Sequence, residues 1–391
     1  MNILFFDWPC FCKKDAVTAF KQLGHSVAFF FHPDYTERRS AEFDAALDTF
    51  LADGAYDCIF SYNFFPLISE GCKRNHLRYL SVVYDAPHVA LYSYTVIYPC
   101  NTIFLFDRAQ YLELAAMGIP TVHYLPLAGN AERIDELLAQ PHDAGRFRSD
   151  VTFVGSLYNE SHNMFDRLTG ISEYTRGYLD AIMQAQLRIY GYYFIEEVLD
   201  ENILNDLSAS LPYDAGNTGI QSLPYIYGNY VIGRKLTELD RIRTLTSAAA
   251  GHPLRLYTPD RSYRAPGIEN MGPADYISEL PYIFYYSKIN LNITLKSIKT
   301  GIPLRAIDIM SAGGFLLTNF QADFLDYFIP NEDFVYYNDL QDLNEKIAYY
   351  LSHEEERQQI AANGRNKIQQ YLSFQLLFSE MLRVIDLPAP T

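Results

Sequence analysis

The sequence lacks several features that would mark particular classes of protein. Its 391 residues include only five cysteines, which form no even disulfide framework and indicate a reducing compartment. No apolar run approaches the roughly 20 residues of a membrane-spanning helix. The opening stretch MNILFFDWPCF carries no basic region before Asp7, which argues against a signal peptide. We therefore expect a soluble, cytoplasmic protein.

Positive charge is also scarce. Lys and Arg together number 31 against 47 Asp and Glu, so the formal net charge is −16. A chain of this charge repels polyanions, and we expect no nucleic-acid partner and no anionic membrane surface as partner. There is one tryptophan, Trp8, against 32 tyrosines and 26 phenylalanines. The tyrosines are spread along the whole chain, which favours packing roles over one sugar-stacking surface.

Common catalytic and nucleotide-binding motifs are absent from the sequence. It has no G-x-x-x-x-G-K-[ST] loop, no G-x-G-x-x-G after the first strand and no G-x-S-x-G elbow, which argues against a P-loop NTPase, an ordinary dinucleotide site and a serine hydrolase. It also has no Asp-x-Asp pair to hold a metal–pyrophosphate complex. Cys10 and Cys12 lack further ligands at metal spacing, so no metal site is expected.

What the sequence does contain is a repeated alternation of short apolar runs and helical patterns. Short runs without polar alternation are typical of strands buried on both faces of a parallel sheet. The pattern predicts an α/β fold with two doubly wound, Rossmann-like domains. The predicted strands lie at 3–6, 26–31, 58–61, 80–84, 103–106, 122–125, 151–156, 254–257, 289–293, 315–319 and 334–337.

The polar stretch 128–150, with Pro141 and Gly145, breaks this alternation and predicts a domain boundary. We predict an N-terminal domain at 1–140, a second domain at 141–375 and a C-terminal helix or tail at 376–391 that packs back on the first domain.

Ligands of open parallel sheets bind beyond the carboxyl ends of the strands, which singles out certain loops. In the first domain, Asp85 and His88 follow a very apolar strand, and their side chains suit acid–base chemistry or the binding of hydroxyls. A turn with a capping Asp before Pro87 explains the same residues. In the second domain the corresponding loops begin at Gly155–Ser156, at Tyr257 and at the long segment 294–304.

The long segment predicts a helix that begins near Pro303, after Gly301, and ends near Gly313. The free N–H groups of its first turn form an anion site, and Arg305, with Lys296 and Lys299, adds positive charge to it. Asp308, one turn on, could accept hydrogen bonds from ribose hydroxyls. The alternative is that Arg305 and Asp308 form an ordinary i,i+3 ion pair.

Longer stretches of the chain resemble a known family. In the second half these are VTFVGS, YYSKINLNIT, GIPLRAIDIMSAGGFLLTN and LNEKIAYYLSHEEERQQIAANGRNKI, at 151–156, 285–294, 301–319 and 343–368. In the first half they are YLSVVYDAPH, IFLFDR and YLPLAGN, at 79–88, 103–108 and 124–130. Their order and spacing resemble the bacterial group-1-like (GT4-like) glycosyltransferases of the spore-maturation CgeB type. The resemblance covers most of the chain and is weakest over 160–250.

The resemblance implies a GT-B fold, in which two Rossmann-like domains face each other across a cleft. It also implies a hexosyltransferase that needs no metal or other cofactor. The donor would be a nucleotide sugar, with a UDP-sugar favoured and a GDP-sugar as the alternative, and the unknown acceptor would be a hydroxyl of a protein or a glycan. The sequence says nothing about the oligomeric state.

The resemblance also implies residue roles. Asp308 stands where the wider family has an acidic residue that holds the donor ribose. Arg305 and Lys299, with Arg234 or Lys235 as further candidates, would neutralise the pyrophosphate. The donor-site residues we predict are Gly155, Ser156, Tyr257, Lys299, Thr300, Gly301, Arg305 and Asp308.

The stereochemistry stays open. Many retaining relatives have a glutamate where this chain has Thr300, although we lean towards retention. An inverting enzyme would need a base, for which Asp85, His88 and Asp7 are the candidates. Two alternatives remain beside the transferase: a catalytically inert GT-B protein that binds a nucleotide, glycan or partner, and a nucleotide-sugar epimerase of similar architecture.

Overall fold

Two parallel sheets form the framework of the protein. The computed structural model describes residues 1–159, 163–214 and 219–386. Within these ranges there are two six-stranded sheets with strand orders β2-β1-β3-β4-β5-β6 and β12-β11-β10-β7-β8-β9. Every strand pair in the two sheets is parallel. The predicted doubly wound α/β class is confirmed.

The first sheet contains the strands β1 Asn2–Phe6, β2 Ser26–Phe30, β3 Cys58–Tyr62, β4 Arg78–Val83, β5 Asn101–Leu105 and β6 Val122–Tyr124. The second contains β7 Ser149–Val154, β8 Leu254–Tyr257, β9 Ile268–Asn270, β10 Ser287–Asn292, β11 Leu316–Asn319 and β12 Val335–Tyr337. Each predicted strand is present, with ends that differ by at most two residues. The prediction missed β9, a three-residue edge strand whose sequence IEN has no apolar run.

Helices connect the strands, as the alternation predicted. The α-helices are α1 Lys13–Gln22, α2 Ala41–Ala52, α3 Pro66–Arg74, α4 Arg108–Ala116, α5 Ala131–Leu138, α6 Ala144–Phe147, α7 Glu173–Gln186, α8 Ile195–Val198, α9 Glu201–Ser210, α10 Leu223–Tyr225, α11 Gly233–Gly251, α12 Leu280–Tyr286, α13 Leu304–Ser311, α14 Leu340–Ser352, α15 Glu354–Tyr371 and α16 Phe374–Asp386. A π-helical segment, Ile226–Ile232, precedes α11. None of the described helices is long and apolar enough to cross a membrane.

The chain divides into two compact units, each made of more than one segment. Unit 1 contains Met1–Ala128, Asp214–Gln221 and Leu372–Thr391, and unit 2 contains Gly129–Tyr213 and Ser222–Tyr371. The last five residues of the predicted tail, 387–391, lie outside the described residues.

Unit 1 has an aromatic core. Phe20 of α1, Phe60 of β3 and Phe378 of α16 are all buried. The ring centroid of Phe378 lies 4.9 Å from that of Phe20 and 5.8 Å from that of Phe60. Helix α16 therefore packs beside α1 on one face of the sheet that the first 128 residues build.

Unit 2 has an aliphatic core, and its helices carry the expected apolar spacing. On α14 the buried residues Leu343, Ile347 and Tyr350 follow steps of four and three, so one face of the helix packs on the sheet. Polar residues such as Asp342 and Lys346 occupy the other face and form an ion pair of 2.8 Å.

We predict that Phe378→Ala lowers the free energy of unfolding by about 3–5 kcal/mol, because it removes a buried ring and leaves a cavity between α1, α16 and β3. Urea unfolding followed by circular dichroism measures this change. Leu376→Ala is the control, since that side chain is 37% exposed. If Leu376→Ala lowers the free energy of unfolding as much as Phe378→Ala does, the packing of Phe378 in the core of unit 1 is contradicted.

Candidate active site

The carboxyl edge of the second sheet brings together loops from both sides of its topological switch point. The strand order reverses between β7 and β10, and ligands of open parallel sheets bind at such a point. Gly155 and Ser156 follow β7, and the Gly155 N–H donates to the carbonyl of Tyr257 at 2.9 Å. Tyr257 ends β8 and is buried, which raises the pKa of its phenol.

Arg241 of α11 bridges the two strands at the switch point. Its guanidinium donates to the carbonyl oxygen of Ser156 after β7, at 2.5 Å, and to that of Ile293 after β10, at 2.8 and 3.2 Å. The guanidinium carbon also lies 4.9 Å from the ring centroid of Tyr158 and 5.3 Å from that of Phe153. A planar group with five donors suits this double contact, whereas a lysine could not make it.

Gly155 leaves the space that the guanidinium occupies. A Cβ at this position would lie 3.2 Å from the ring of Phe153 and 3.5 Å from Nη1 of Arg241. Any side chain here would therefore crowd both groups. The structure gives Gly155 a role in packing that the sequence pattern alone did not reveal.

Helix α13 follows the long loop after β10. It begins one residue later than predicted: Pro303 is the N-cap rather than a first-turn residue, because its ψ of 149° is extended. No side chain caps its amino end. At the other end Gly313 has a φ of +73°, as expected for the residue after a helix, whereas Gly301 is not among the residues with positive φ.

Arg305 and Asp308 on α13 form the i,i+3 pair that the sequence offered as an alternative. Arg305 Nη1 lies 3.4 Å from Asp308 Oδ2, longer than a charge-assisted hydrogen bond of about 2.8 Å. Tyr276 donates its hydroxyl to the other carboxylate oxygen of Asp308 at 3.0 Å. Both side chains keep some exposure, 27% for Arg305 and 18% for Asp308. The carboxylate is thus oriented but still accessible.

The two lysines of the long loop are paired with carboxylates. Lys296 is buried and lies 2.9 Å from Asp240, and burial lowers its pKa. Lys299 lies 3.2 Å from Glu196. Much of the positive charge that the sequence suggested for this loop is therefore balanced. A polar cavity of about 20 Å³, enough for a water molecule, lies beside both lysines and Tyr190.

The remaining predicted donor-site residues lie at the ends of the neighbouring elements. The carbonyl of Thr300 accepts from the N–H of Asp323 at 3.0 Å. Arg234, near the start of α11, lies over the rings of Tyr158 and Tyr230. Its Nε is buried and has no hydrogen-bond partner among the described residues. Lys235 pairs instead with Asp166 and Glu238.

In unit 1, an asparagine organises the loop after β4. Asn63 has a left-handed backbone, with a φ of +59°. Its Nδ2 donates to Asp85 Oδ2 at 2.6 Å, and its Oδ1 accepts from the N–H groups of Tyr84 and Asp85 at 3.2 and 3.3 Å. Asp85 is exposed. Its carboxylate is therefore held in place and reachable from solvent.

The other two candidate bases have local partners. Nε2 of His88 lies 2.8 Å from the carbonyl oxygen of Phe64, and burial lowers the pKa of the imidazole. Asp7 forms an ion pair with Lys13. The Asp7 loop is tied to the same edge through Trp8, which donates to the Tyr62 carbonyl at 2.8 Å and stacks on Tyr84.

Sequence reasoning missed Arg241, Tyr276 and the orienting role of Asn63. Arg241 lies within a helix where neither spacing nor a flanking glycine marks it. Tyr276 contacts Asp308 across 32 residues, a distance over which one sequence carries no signal. In the part of the chain that the structure describes, no group of three or more His, Cys, Asp or Glu could hold a metal ion.

Comparisons with known proteins agree with this architecture. Residues 237–382, from within α11 to α16, match the protein-family model described as "Glycosyl transferase-like". Comparison with curated protein sequences found no match.

Solved glycosyltransferase structures align with nearly the whole chain. The Anabaena HepE protein in complex with UDP-glucose has 10% identity and a TM-score of 0.54, with 99% of each chain covered. Sucrose-phosphate synthase of Thermosynechococcus elongatus has 12% identity and a TM-score of 0.53, with 99% of this chain and 98% of that one covered. A UDP-forming α,α-trehalose-phosphate synthase of Burkholderia xenovorans has 12% identity and a TM-score of 0.52, with 99% of each chain covered.

These similarities identify the fold class. The chain has the GT-B fold of these glycosyltransferases, which confirms the predicted fold. Within that class, the matched segment carries β8 to β12 and the Arg305–Asp308 pair. The CgeB subtype stays a prediction.

The buried Lys296–Asp240 pair yields a prediction for stability. We expect Lys296→Met to lower the free energy of unfolding by about 3 kcal/mol, because it leaves the Asp240 carboxylate buried with less compensation. The double variant Lys296→Met/Asp240→Leu should lose less than the sum of the two single substitutions. Urea unfolding of all four proteins measures the coupling, and strict additivity would contradict the pairing.

His88 yields a prediction for pH dependence. Its folded-state pKa lies below the ordinary value of 6.5, so just below pH 6.5 the unfolded chain binds more protons than the folded one. Stability should therefore fall as the pH is lowered from about 7 to 5, by up to about 1.4 kcal/mol per pH unit for this one group. His88→Gln should flatten this slope in urea unfolding, and the slopes of the two proteins should converge above pH 7. If the slope is the same in His88→Gln, the pH dependence does not come from the lowered pKa of His88.

Proposed function

We propose that the protein is a glycosyltransferase that moves a hexose from a nucleotide-sugar donor to a hydroxyl group of a protein or glycan. The observation that carries the proposal is the position of the Arg305–Asp308 pair. It lies on the helix that follows the central strand β10, at the carboxyl edge of the sheet, within the segment that matches the glycosyl transferase-like family.

The donor would bind at this edge of unit 2. Asp308, oriented by Tyr276, would accept hydrogen bonds from the ribose hydroxyls. Arg305 and the uncapped amino end of α13 would face the pyrophosphate, and Arg234, with its unpaired Nε, would add a donor. The other donor-site residues would be Gly155, Ser156, Tyr257, Lys299, Thr300 and Gly301. Arg241 would hold the loops after β7 and β10 in position.

The favoured donor is a UDP-sugar. HepE was solved with UDP-glucose, and the trehalose-phosphate synthase is described as UDP-forming. A GDP-sugar is the alternative. The sequence has no Asp-x-Asp pair, so we propose that arginine side chains and helix N–H groups, rather than a metal, stabilise the departing diphosphate.

In the reaction, the bond between the anomeric carbon and the diphosphate oxygen breaks, and a bond to the acceptor oxygen forms. The nucleoside diphosphate leaves with the electron pair of the broken bond. In a retaining reaction, towards which we lean, the leaving phosphate takes the acceptor proton. In an inverting reaction a protein base takes it, and Asp85 is the strongest candidate because its carboxylate is both oriented and exposed. His88 and Asp7 are the other candidates.

We place this reaction in the cytoplasm of a bacterium, within the CgeB-like branch of the family. The five cysteines, all in the described ranges, are free thiols, which suits a reducing compartment.

The first test is a thermal-shift screen against UDP, GDP, CDP, dTDP and ADP, with and without EDTA. Stabilisation by UDP that survives EDTA supports a metal-independent donor site. The matching nucleotide sugars are then assayed for hydrolysis and transfer. Binding without turnover under any acceptor condition would favour the inert binding protein, and a changed sugar without transfer would favour the epimerase.

Variants of α13 test the residue assignments. Asp308→Asn should raise the UDP dissociation constant about tenfold, because the ribose loses a charged acceptor. Arg305→Gln should raise it further, since a phosphate charge loses its partner. Calorimetry measures both, with Arg176→Gln and Asp180→Asn on the exposed face of α7 as matched controls. Unchanged affinity in folded Asp308→Asn and Arg305→Gln proteins would refute the donor site.

A further inference from the structure

Unit 2 has a second concave surface, at the amino-terminal edge of its sheet, opposite to the candidate active site. This amino-edge groove has a volume of about 1060 Å³. It is lined by the first residues of β7 and β10, the last residues of α12, the loop around Gly313 and one face of α15.

Small residues line part of the amino-edge groove, among them Ala361 and Ala362 of α15 and Gly313. Arg357, Ala361 and Arg365 are spaced four apart, so they follow one another along a single face of the helix. This spacing places Ala361 between two arginines on that face.

The groove is lined by more basic than acidic residues, whereas the chain as a whole is acidic. Four basic residues line it, Arg148, Lys288, Arg357 and Arg365, against two acidic residues, Asp150 and Glu354. The chain as a whole carries a net charge of −16. A locally positive groove on an acidic protein attracts anions selectively to that surface.

Arg357 is the central observation. Its side chain is only 6% exposed, and its Nε is buried with no hydrogen-bond partner among the described residues. The nearest carboxylate is that of Glu354, 3.7 Å from Nη2, which is beyond hydrogen-bond distance, and Glu354 itself is 65% exposed. A buried guanidinium donor without an acceptor costs free energy, which an anionic ligand in the groove would offset.

Two of the other three cations of the groove form ion pairs. Lys288 and Asp150 pair at 2.8 Å, and both are about half exposed. Arg365 pairs with Asp135, outside the groove, and its side chain is mostly buried. Arg148 is exposed. A half-exposed pair such as Lys288–Asp150 contributes little to stability, so a ligand can replace Asp150 at small cost.

A tyrosine pair supplies a wall for a ring. Tyr285 is 47% exposed. Its ring packs edge-on against Tyr286 at 5.0 Å, and Tyr286 is fixed by a 2.6 Å hydrogen bond between its hydroxyl and Nε2 of His142. An exposed aromatic ring in a groove that arginines also line suits a ligand that joins a ring to a charged group.

We propose that the amino-edge groove binds a phosphate monoester carried on a ring, with Arg357 and Lys288 as the phosphoryl ligands and Tyr285 as the platform for the ring. The shared chemistry is the phosphoryl group, which the planar donors of arginine match. It could come from a sugar phosphate or from a nucleotide. The site is separate from the donor site and does not depend on the proposed transfer reaction.

The test is calorimetric titration of the full chain at low ionic strength with three probes: glucose 6-phosphate, UMP and inorganic phosphate. We expect one of the two ring-bearing probes to bind at least tenfold more tightly than inorganic phosphate, which also identifies the source of the phosphoryl group. Arg357→Gln should weaken that binding at least tenfold. Arg176→Gln, a matched change on the exposed face of α7, should leave it unchanged.

Because Arg357 is buried, a loss of binding in Arg357→Gln would also follow if that variant misfolded. A second variant therefore tests the groove without changing a buried residue. Arg148→Gln/Lys288→Gln changes exposed or half-exposed residues and should weaken binding at least threefold. The proposal is overturned if no probe binds the unmodified protein, or if both groove variants bind the probe as tightly as the unmodified protein does. It is equally overturned if binding is lost only in Arg305→Gln, since the anion would then occupy the opposite edge of the sheet.

Discussion

The contact on which unit 2 most depends is that of Arg241 with two main-chain carbonyls. A doubly wound sheet separates at its switch point, and the loops after β7 and β10 leave in opposite directions there. One guanidinium joins the carbonyls of Ser156 and Ile293 across this gap, and Gly155 gives it room. The positions of the loop to α13, and hence of Arg305 and Asp308, follow from where β10 ends. Arg241 thus fixes the two loops that border the candidate site.

Electrostatic balance is the second constraint on this chain. Its lysines near the candidate donor site are matched by carboxylates, Lys296 with Asp240 and Lys299 with Glu196. Three arginines differ from these lysines: Arg241 contacts carbonyls and rings, while Arg234 and Arg357 each have a buried Nε without a partner among the described residues. Because arginine stays protonated even when buried, it can hold charge ready for an anion where a lysine would lose its proton. This property of arginine underlies the anion-binding roles proposed for Arg234 and Arg357.

The fold was largely predictable from the sequence, and the side-chain partners were not. Apolar runs such as 58–61 and 289–293 are buried on both faces, and their composition shows this directly. Strand β9 at the sheet edge is short and polar, so the sequence pattern did not predict it. The helix after the long loop was predicted from Pro303 and Gly313, with an error of one residue at its start. Tyr276, Arg241 and Asn63 contact residues that are distant from them in the sequence. Only the tertiary fold brings these side chains to their partners. The sequence also did not reveal that Asp240 balances the charge of Lys296, because the two residues are 56 positions apart along the chain.

Unit 1 is built from segments that lie far apart in the sequence, and this has a consequence for its folding during synthesis. Its sheet is complete by residue 124, but the ring of Phe378 that packs on Phe20 and Phe60 belongs to α16. During synthesis β1 to β6 and α1 leave the ribosome first, and α16 follows only after residues 129–371. The apolar surface beside α1 that α16 covers is therefore exposed while more than two hundred residues are translated, and a chaperone would have this interval in which to bind it.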